Sequence, residues 1–522
     1  MNKNKLLLLF LLVSIVGSAQ DINIKNGPLL KKRGFHVSEI AGYSEDGGFM
    51  AILNESFNSN NKEVTLEKYD ENLNVILSRV IETESVKGEK IKGVSYQMFQ
   101  KRLLAIITSK VRKGDIDGKI TAVKITSRGT VDGSPIELHT TNDFENMEDI
   151  VYSISADSSK LILIIELRPE KDKLKRIFVK VFDKNLKPIW SKTVKINYEK
   201  KNLTLLEFAY TTSKLYIAAR LNDKVRVLSQ TKPGEHRLIA ISDDTDTDKP
   251  DKDYIIKLDG KFISSISFAV SYKNNVSRIQ CVGLYGLDKE DKASGVFSFT
   301  VDEKTDDIID KYYKTFDRKV LDEVLTKREI KRQEDELLYF KMKEVFIKDN
   351  GGIVAILEQE NHYVVETNFG ANSGAPGRTT YTYHYEDNNL LVIDISKNSG
   401  INWMTVVPKN QHTINDYAYF NSFCAVYLNN EVFMFYSEDL RLSKILKKEE
   451  LKSLGRNKQG LMIAHIDKNG ELEQAVVYKD AEHENIQLIP KVNFIRDNTI
   501  ILAGHSDRNS SNYSYSKITI GK

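Results

Sequence analysis

The densest group of oxygen-bearing side chains is one acidic stretch, residues 243–253, which reads Asp-Asp-Thr-Asp-Thr-Asp-Lys-Pro-Asp-Lys-Asp. The alternating carboxylates of Asp244, Asp246 and Asp248 could converge on a Ca²⁺ ion, which prefers oxygen ligands. The helix–loop–helix calcium motif also requires a glycine and a closing glutamate at positions where this chain has a lysine and an isoleucine. We therefore interpret the stretch as a solvated acidic loop, with a Ca²⁺ site at the three aspartates as the alternative.

Alternating tyrosines beside a glycine-rich turn form a second candidate site. Residues 362–369 and 378–385 are rich in β-branched and aromatic residues and flank Gly-Ala-Asn-Ser-Gly-Ala-Pro-Gly, which predicts a long hairpin. Because side chains alternate between the two faces of a strand, Tyr381, Tyr383 and Tyr385 should share one face. Flat aromatic area with polar tips suits a partner protein or a sugar ring. Ordinary cross-strand packing is the more common use of such residues and is the alternative.

No motif in the sequence identifies catalytic residues. The nine histidines are scattered singly, without zinc-site spacing, and neither a nucleophile elbow nor a phosphate-binding glycine-rich loop is present. His465 lies in a predicted strand, where packing explains it better than catalysis. Cys281 and Cys424 lie in apolar runs, which favours buried thiols over a disulfide. The sequence thus leaves the catalytic residues unknown and predicts no cofactor apart from the alternative Ca²⁺.

The elements that must position these side chains follow a repeat. Residues 64–78 and 177–191 match position by position as a strand, an Asp-containing turn and a strand. Similar units recur at a period of about 60 residues, each with an apolar run that predicts a strand buried on both faces. The eight runs are residues 49–53, 103–107, 161–165, 215–219, 279–284, 353–357, 432–436 and 500–504.

This repeat resembles that of β-propeller proteins, at the level of the fold only. The resemblance implies an all-β protein in which small four-stranded sheets are arranged radially as blades. We expect eight four-stranded blades, with seven as the alternative if one hairpin is a decoration. The last unit lacks a fourth strand, so we expect residues 21–25 and 29–32 to close the ring, since an open sheet edge invites unwanted pairing.

The predicted propeller is a single domain, residues 20–522, with three insertions. A helical insertion at about residues 306–346 separates blades five and six, and its apolar residues have helical spacing before a highly charged run. The long hairpin occupies about residues 360–388. A short helix is expected at about residues 441–457. Each helix is interpreted as packing one stripe on a blade edge, with a docking surface as the alternative.

The N-terminus has the pattern of a secretory signal peptide. Residues 1–19 contain a basic start, an apolar segment too short to span a bilayer comfortably, and a small-residue cleavage site before Gln20. No later stretch is long and apolar enough to cross a membrane. Loss of Lys3 and Lys5 leaves 74 basic against 73 acidic residues, and this balance argues against nucleic-acid binding. The chain is therefore expected to be exported to the periplasm, the outer membrane or the cell exterior.

Two functions fit these expectations. The first is a non-catalytic binding or scaffold protein of the bacterial cell envelope or surface, whose partner is an envelope protein or a glycan. The alternative is an extracellular or periplasmic polysaccharide-acting enzyme, a hydrolase or lyase, with its site at the mouth of the propeller channel. Propeller blades can bring distant acid and base residues together there, so the lack of a sequence motif does not exclude catalysis. Two carboxylates about 5 to 10 Å apart in a cleft would favour the enzyme.

Overall fold

A computed structural model describes most of the chain downstream of residue 21. The described residues are 22–32, 34–43, 48–55, 64–81, 89–113, 116–126, 128–221, 226–227, 230–231, 235–244, 247–273, 276–287, 292–369, 378–397, 400–443, 445–454, 458–506 and 512–521. The predicted signal peptide therefore lies outside them. None of the helices in these ranges is long and apolar enough to cross a membrane.

Antiparallel strands dominate the described residues. Two short strands come first, β1 (Ile22–Asn26) and β2 (Leu30–Lys31). Sheet 1 consists of β3 (Phe35–Tyr43), β4 (Phe49–Glu55), β5 (Val64–Tyr69) and β6 (Val75–Val80). Sheet 2 consists of β7 (Glu89–Phe99), β8 (Arg102–Lys113), β9 (Ile116–Ile125) and β10 (Ile136–Thr141). Sheet 3 consists of β11 (Met147–Ile154), β12 (Leu161–Leu167), β13 (Leu174–Phe182) and β14 (Pro188–Glu199).

Sheets 4 and 5 each carry a small additional pairing. Sheet 4 consists of β15 (Leu203–Tyr210), β16 (Leu215–Leu221), β19 (Glu235–Ile241) and β20 (Lys252–Ile255), with the two-stranded pair β17 (Arg226–Val227) and β18 (Gln230–Thr231) inserted. Sheet 5 consists of β21 (Phe262–Lys273), β22 (Val276–Gly286), β24 (Gly295–Val301) and β25 (Ile308–Thr315). Between its strands lies β23 (Lys292–Ala293), which pairs with β26 (Leu337–Leu338) ahead of sheet 6.

The remaining strands complete the set of sheets. Sheet 6 consists of β27 (Phe340–Ile347), β28 (Ile353–Phe369), β29 (Arg378–Ile395) and β30 (Ile401–Ile414). Sheet 7 consists of β31 (Phe423–Leu428), β32 (Glu431–Asp439), β33 (Gln459–Ile466) and β34 (Leu472–Lys479). Sheet 8 consists of β35 (Gln487–Arg496), β36 (Thr499–His505) and β37 (Asn512–Ile520), and its fourth strand is β1.

The hydrophobic core is divided among the interfaces between successive sheets. In the described residues, one buried apolar cluster lies at each interface from sheets 1 and 2 to sheets 7 and 8. A further cluster joins sheet 8 back to sheet 1, where Val37 and Ile40 pack with Ile489 and Val492. Inner strands of neighbouring sheets also touch, as β3 does with β7 and β35. A closed ring of small sheets packed face to face is a β-propeller, which confirms the prediction of an all-β propeller of four-stranded sheets.

The apolar runs are the second strands of these sheets, as predicted, because each lies between two neighbours. In β28, Ile353 and Ala355 pack toward sheet 5 and Val354 and Ile356 toward sheet 7. Alternate side chains therefore enter different clusters, and a strand buried on both faces needs apolar residues at every position.

A recurrent aspartate closes the hairpin between the third and fourth strands of several sheets. Asp70 Oδ1 accepts hydrogen bonds from the backbone N–H groups of Asn72 and Asn74, each at 2.8 Å. These bonds, led by the one from Asn74, lower the pKa of Asp70. Asp183 and Asp467 make the same pair of bonds in sheets 3 and 7. The repeated sequence pattern is thus a repeated side-chain-capped turn.

The N-terminal segment completes sheet 8, as predicted. β1 runs antiparallel to β37, from Ile22 opposite Ile520 to Asn26 opposite Ser516, and β2 pairs with the start of β37. Between them, Gly27 N–H donates to the carbonyl of Tyr515 at 2.8 Å. A side chain at this glycine would place its Cβ 2.9 Å from the Cβ of Leu73, so the close approach requires glycine.

The helical insertions are shorter than the sequence analysis predicted. Within 306–346, helices occupy only α1 (Arg318–Val324) and α2 (Lys327–Lys331). The two ends of that range belong to β25 and β27, because sheets 5 and 6 both need four strands there. Thr326 and Glu329 form a capping box that starts α2 anew, so the charged run is a second short helix. The third helix, α3 (Lys448–Ser453), lies within the predicted 441–457.

A buried carboxylate joins the first and last sheets. Glu67 of β5 accepts hydrogen bonds from the Tyr513 hydroxyl of β37 at 3.0 and 2.9 Å, from Ser78 at 3.0 Å and from the Tyr69 hydroxyl. Burial, followed by the charge of Glu67, raises the pKa of Tyr513. Because the bond from Tyr513 links residues at opposite ends of the chain, it stabilises closure of the ring.

The substitution Tyr513→Phe is expected to lower the free energy of unfolding by about 1.5 to 3 kcal/mol, since it removes a hydrogen bond to a buried charged group. Urea unfolding followed by circular dichroism would measure this loss. Tyr381→Phe, at an exposed hydroxyl, is the matched control and should leave the midpoint unchanged. Equal midpoints for both variants would contradict the assignment of Tyr513 to ring closure.

Candidate functional site

The longest strands of the structure, β28 and β29, form a hairpin that continues beyond sheet 6. Their register pairs Glu358 with Leu390 inside the sheet and continues to Phe369 opposite Arg378. The third strand, β30, accompanies β29 only as far as His384. The outer part is therefore a two-stranded arm, and the turn at residues 370–377 lies outside the described residues.

The three predicted tyrosines lie on one face of this arm. Tyr381 and Tyr383 are 57% and 49% exposed, and Val364, opposite Tyr383, is 51% exposed. Tyr385 lies nearer the sheet, where it is half-buried and meets the His362 ring edge-on with 5.2 Å between ring centroids. The arm thus presents two exposed tyrosines and a valine outward, with the third tyrosine packed at its base.

The opposite face of the arm carries a stack of rings. The Tyr363 ring lies parallel to His384 with 4.8 Å between centroids, and His384 stacks on His412 of β30 at 5.2 Å. His384 Nδ1 and His412 Nε2 are 3.0 Å apart, and the Tyr363 hydroxyl donates to Glu386 at 3.1 Å. Because the stack spans three strands, it braces the arm where β30 ends.

A tight loop after β30 supports the arm from the side. The backbone of Asn415 donates to the carbonyl of Tyr383 at 2.9 Å, and the side chain of Asn415 accepts from Tyr383 N–H at 2.9 Å. The buried Asp416 accepts from Thr413 and from the backbone of Ala418, which fixes the loop. The base of the arm therefore has a defined position relative to sheet 6.

Where the arm joins sheet 6, charged side chains are buried and paired. Lys409 Nζ lies 2.7 Å from Glu358 Oε1 and donates to the carbonyl of Asp387 and to Gln411, both at 2.6 Å. Lys343 pairs with Glu358 at 3.5 Å and also with Glu360. Buried charges are costly unless paired, and these pairs hold β27, β28 and β30 in register.

One group at this base could hold a metal ion. Ligand atoms of Glu360, His362 and Asp387 lie within 4.8 Å of one another, and one imidazole with two carboxylates can ligate a divalent cation. His362 Nε2 already lies 2.7 Å from Asp387 Oδ1, and Glu360 is paired with Lys343 and, at 2.9 Å, with Lys341. Two lysines thus neutralise the carboxylate that a cation would need, and we interpret the group as an ion-pair network.

Two of the three candidate Ca²⁺ ligands of the alternative interpretation, Asp244 and Asp248, lie in a surface loop of sheet 4. Asp244 is exposed, and its N–H donates to Ser242 at 3.1 Å. Asp248 is also exposed and lies 3.7 Å from Lys195 of sheet 3. Asp246 falls outside the described residues. The Ca²⁺ hypothesis thus gains no further support from Asp244 and Asp248.

A cleft of 760 Å³ opens beside the base of the arm, between the ends of sheets 6 and 7 and the two helices α1 and α2. Its wall from sheet 6 contains Gln359 and Asn361 of β28, Asn388 and Asn389 of β29, and Asn410 of β30. Sheet 7 contributes Glu438 and Gln474, and the segment before β27 contributes Tyr339. Six of the cleft's lining residues therefore have amide side chains, carried by β28, β29, β30 and β34.

Glu438 is the most perturbed carboxyl group in this cleft. Burial raises its pKa to about 7, partly offset by the N–H of Asn410, which donates to Glu438 Oε1 at 2.8 Å, and by the charge of Lys409. Glu386 also lines the cleft but is held by Asn361 at 3.0 Å and by Tyr363. Glu438 therefore exchanges a proton near neutral pH, whereas Glu386 is an acceptor of hydrogen bonds.

The sequence predicted that the three tyrosines share a face, but it did not predict the ring contacts of the histidines around them. The histidines looked isolated because their contacts arise only through strand register: His384 meets His412 across β29 and β30, and His362 meets Tyr385 across β28 and β29. Counting the hairpin register outward from the turn would have found His362 opposite Tyr385. His465, by contrast, stacks on Phe433 with 4.6 Å between centroids and pairs with Glu431.

Comparisons with known proteins assign no family to the chain. No protein-family model matches the chain, and no curated protein matches it in sequence. Among solved structures, the chain is similar to the WD40 domain of SCAP from fission yeast at 9% identity and a TM-score of 0.38, covering 96% of this chain and 95% of that one. It is similar to the Dos1 propeller at 8% identity and a TM-score of 0.40, with the same coverage. These similarities concern the β-propeller fold, which does not define a function.

Proposed function

We propose that this chain is an exported, eight-bladed β-propeller that acts as a non-catalytic binding or scaffold protein of the bacterial cell envelope. In this proposal the eight four-stranded sheets are the blades, and the arm formed by β28 and β29 docks a partner protein of the envelope. The observation that carries the proposal is the arm itself. Exposed Tyr381, Tyr383 and Val364 project from a base fixed by buried ion pairs.

The physical argument for docking is that an ordered arm with exposed tyrosines can bind a partner at a low entropic cost. Tyrosines bury a large area with only two rotatable side-chain bonds, which makes them frequent anchors at protein interfaces. Exposed apolar side chains are common singly, but here three share one rigid face. The stacked rings on the opposite face and the Asn415 loop limit bending of the arm. A partner would therefore meet an ordered surface at a low entropic cost.

The double substitution Tyr381→Ser and Tyr383→Ser is expected to reduce recovery of the partner at least tenfold in a mild crosslinking pull-down from the native envelope, because interface tyrosines carry much of the binding energy. The melting temperature should stay the same, since both rings are exposed. Ile76→Ser, at a residue of 55% exposure on sheet 1, is the matched control and should recover the partner fully. Equal recovery by the double variant and the control would overturn the docking role.

The alternative, a polysaccharide-acting enzyme, is favoured by one specific observation. Glu438, with its pKa raised to about 7 by burial, could serve as a general acid in a cleft that also contains Glu386. A panel of soluble glycans incubated with the mature chain tests this alternative. Turnover that is lost in Glu438→Gln would establish the enzyme and remove the non-catalytic assignment, whereas no turnover supports the binding protein.

A further inference from the structure

The cleft beside the arm has chemistry that the docking role does not use. It is 760 Å³ in volume, which is room for one or two small rings. Its walls come from three strands of sheet 6, two strands of sheet 7 and the helical insertion. Because these walls belong to different elements of the rigid ring, the cleft is preformed.

The charges of the cleft exclude anionic ligands. Lys409, the cation among its lining residues, is fully buried, and its ammonium group already contacts Glu358, Gln411 and the carbonyl of Asp387. Among the lining residues that the structure describes, no other carries a positive charge, whereas Glu329, Glu386 and Glu438 all line the cleft. At these residues a phosphate or a nucleotide would therefore meet negative charge without a free cation.

The carboxylates of the cleft do not form a cation site either. Glu329 is held at the start of α2 by Thr326, whose backbone N–H donates to it at 2.7 Å. Glu386 accepts from Asn361 and Tyr363, and Glu438 accepts from the N–H of Asn410. Each carboxylate thus has its own partner on its own side of the cleft.

What the cleft offers instead is amide groups and one exposed ring. Five amide side chains in its wall carry donors and acceptors of the kind that sugar hydroxyl groups require: Gln359, Asn361, Asn388, Asn389 and Gln474. Part of this capacity is used inside the wall, since Asn361 donates to Glu386, Asn389 to Gln359, and Gln474 to Pro408 and Tyr436. An amide has two donor hydrogens and an oxygen that accepts twice, so Asn361 and Asn389 each keep a donor and acceptor capacity for a ligand.

Tyr339 gives the cleft a flat apolar surface. Its side chain is 42% exposed, and its backbone has a φ of 65°, a conformation that costs free energy for a residue with a side chain and is enriched at functional sites. The backbone is held there because Tyr339 carbonyl oxygen accepts from the N–H of Glu360 at 2.9 Å. A sugar ring can place its C–H face on such a ring while its hydroxyl groups reach the amides.

We propose that this cleft binds a neutral saccharide, stacked on Tyr339 and hydrogen-bonded by the amides of sheets 6 and 7. The site differs from the tyrosine face of the arm, so one chain can hold a glycan and a partner protein at the same time. This inference does not depend on the docking role of the arm.

Binding is tested with the mature chain and three soluble probes: cellohexaose, maltohexaose and N-acetylchitohexaose. Saturation-transfer NMR and calorimetry should detect at least one of them, with Kd in the range of about 1 mM or below. Inorganic phosphate, titrated in the same way, should not bind. No binding of any of the three saccharides at about 10 mM, or binding of phosphate in their place, overturns the proposal.

Variants locate the binding in the cleft. Tyr339→Asn keeps a residue that tolerates a positive φ and removes the ring, so Kd should rise about tenfold. Asn389→Ala should raise Kd about threefold by removing one hydrogen bond. Ile76→Asn, at an exposed residue of sheet 1, is the control and should bind the saccharide as the unmodified chain does. Unchanged affinity in both cleft variants, with melting temperatures also unchanged, would overturn the site even if a saccharide binds elsewhere.

Discussion

A mature chain without residues 22–31 is expected to lose much of its stability. Ile22 and Ile24 pack into the cluster between sheets 7 and 8, and Leu30 packs into the cluster between sheets 8 and 1. At about 1.5 kcal/mol for each such side chain, the deletion costs about 4 to 5 kcal/mol before the lost strand pairing is considered. Because native proteins are stable by only about 5 to 15 kcal/mol, the deletion removes a large share of the total.

Thermal unfolding by circular dichroism and size-exclusion chromatography would measure this effect. The truncated chain should melt at a lower temperature and self-associate, because β37 becomes an open edge strand. A synthetic peptide of residues 20–32 should restore the melting temperature in trans by pairing with β37. The same peptide with Ile22→Asp and Ile24→Asp is the control. A truncated chain with an unchanged melting temperature and elution volume would show that the ring does not need its N-terminal strand.

The fold was predictable because its signals are local. Each second strand contains a run that is almost wholly apolar, since it lies between two sheets, and that run is visible without knowing its neighbours. The aspartate at Asp70, Asp183 and Asp467 recurs because each one accepts bonds from the backbone of its own turn. Because the last unit lacks a fourth strand in the sequence, the N-terminal segment was expected to supply it, and β1 does so by pairing with β37.

The candidate sites were less predictable because they depend on contacts between distant residues. The tyrosines share a face through the period of a single strand, which the sequence shows directly. The amides of the cleft lie on different strands: those of sheet 6 are brought together by the pairing of β28, β29 and β30, and Gln474 joins them only by the packing of sheet 7 against sheet 6. The helical boundaries shifted for the same reason, since β25 and β27 are fixed by pairing with sheets 5 and 6.

Both proposed sites lie next to a network of buried charged side chains in sheet 6. Lys409, Glu358 and Asp387 form a buried network below the arm, and the same Lys409 lines the cleft. Removing one partner of a buried ion pair leaves a costly unpaired charge. Substitutions in this network would therefore disturb both sites together, so Tyr381, Tyr383, Tyr339 and Asn389 are the better positions at which to separate docking from saccharide binding.

The second large effect concerns a buried carboxyl group at the joint between sheets 7 and 8. Asp480 is 1% exposed, and neither of its carboxylate oxygens forms a hydrogen bond with another described residue. Burial raises its pKa to about 8, and the residue's own N–H only partly offsets this effect. The folded chain thus keeps Asp480 protonated at neutral pH, whereas in the unfolded chain this carboxyl has the ordinary aspartate pKa of 3.8.

The sign of the pH dependence follows from proton binding. Between about pH 4 and about pH 8 the folded state holds a proton on Asp480 that the unfolded state has lost, so Asp480 makes stability fall as pH rises. Each pH unit in this window costs about 1.4 kcal/mol at most. The substitution Asp480→Asn removes the titration. Near pH 7 the free energy of unfolding of this variant should exceed that of the unmodified chain by up to about 4 kcal/mol. The advantage should shrink toward zero near pH 4.

Urea unfolding at several pH values between about 4 and about 9 would measure this difference. The comparison must be between variants, because His36 and His139 act in the opposite direction: burial lowers the pKa of each to about 4, so their contribution is lost as pH falls below about 6.5. The difference between Asp480→Asn and the unmodified chain cancels these contributions. Asp497→Asn, at a side chain that is 87% exposed, is the control. Its free energy of unfolding should change with pH in the same way as that of the unmodified chain. If that of Asp480→Asn also changes in this way, Asp480 is ionised in the fold, and a donor must reach its carboxylate from a residue outside the described ranges or from water.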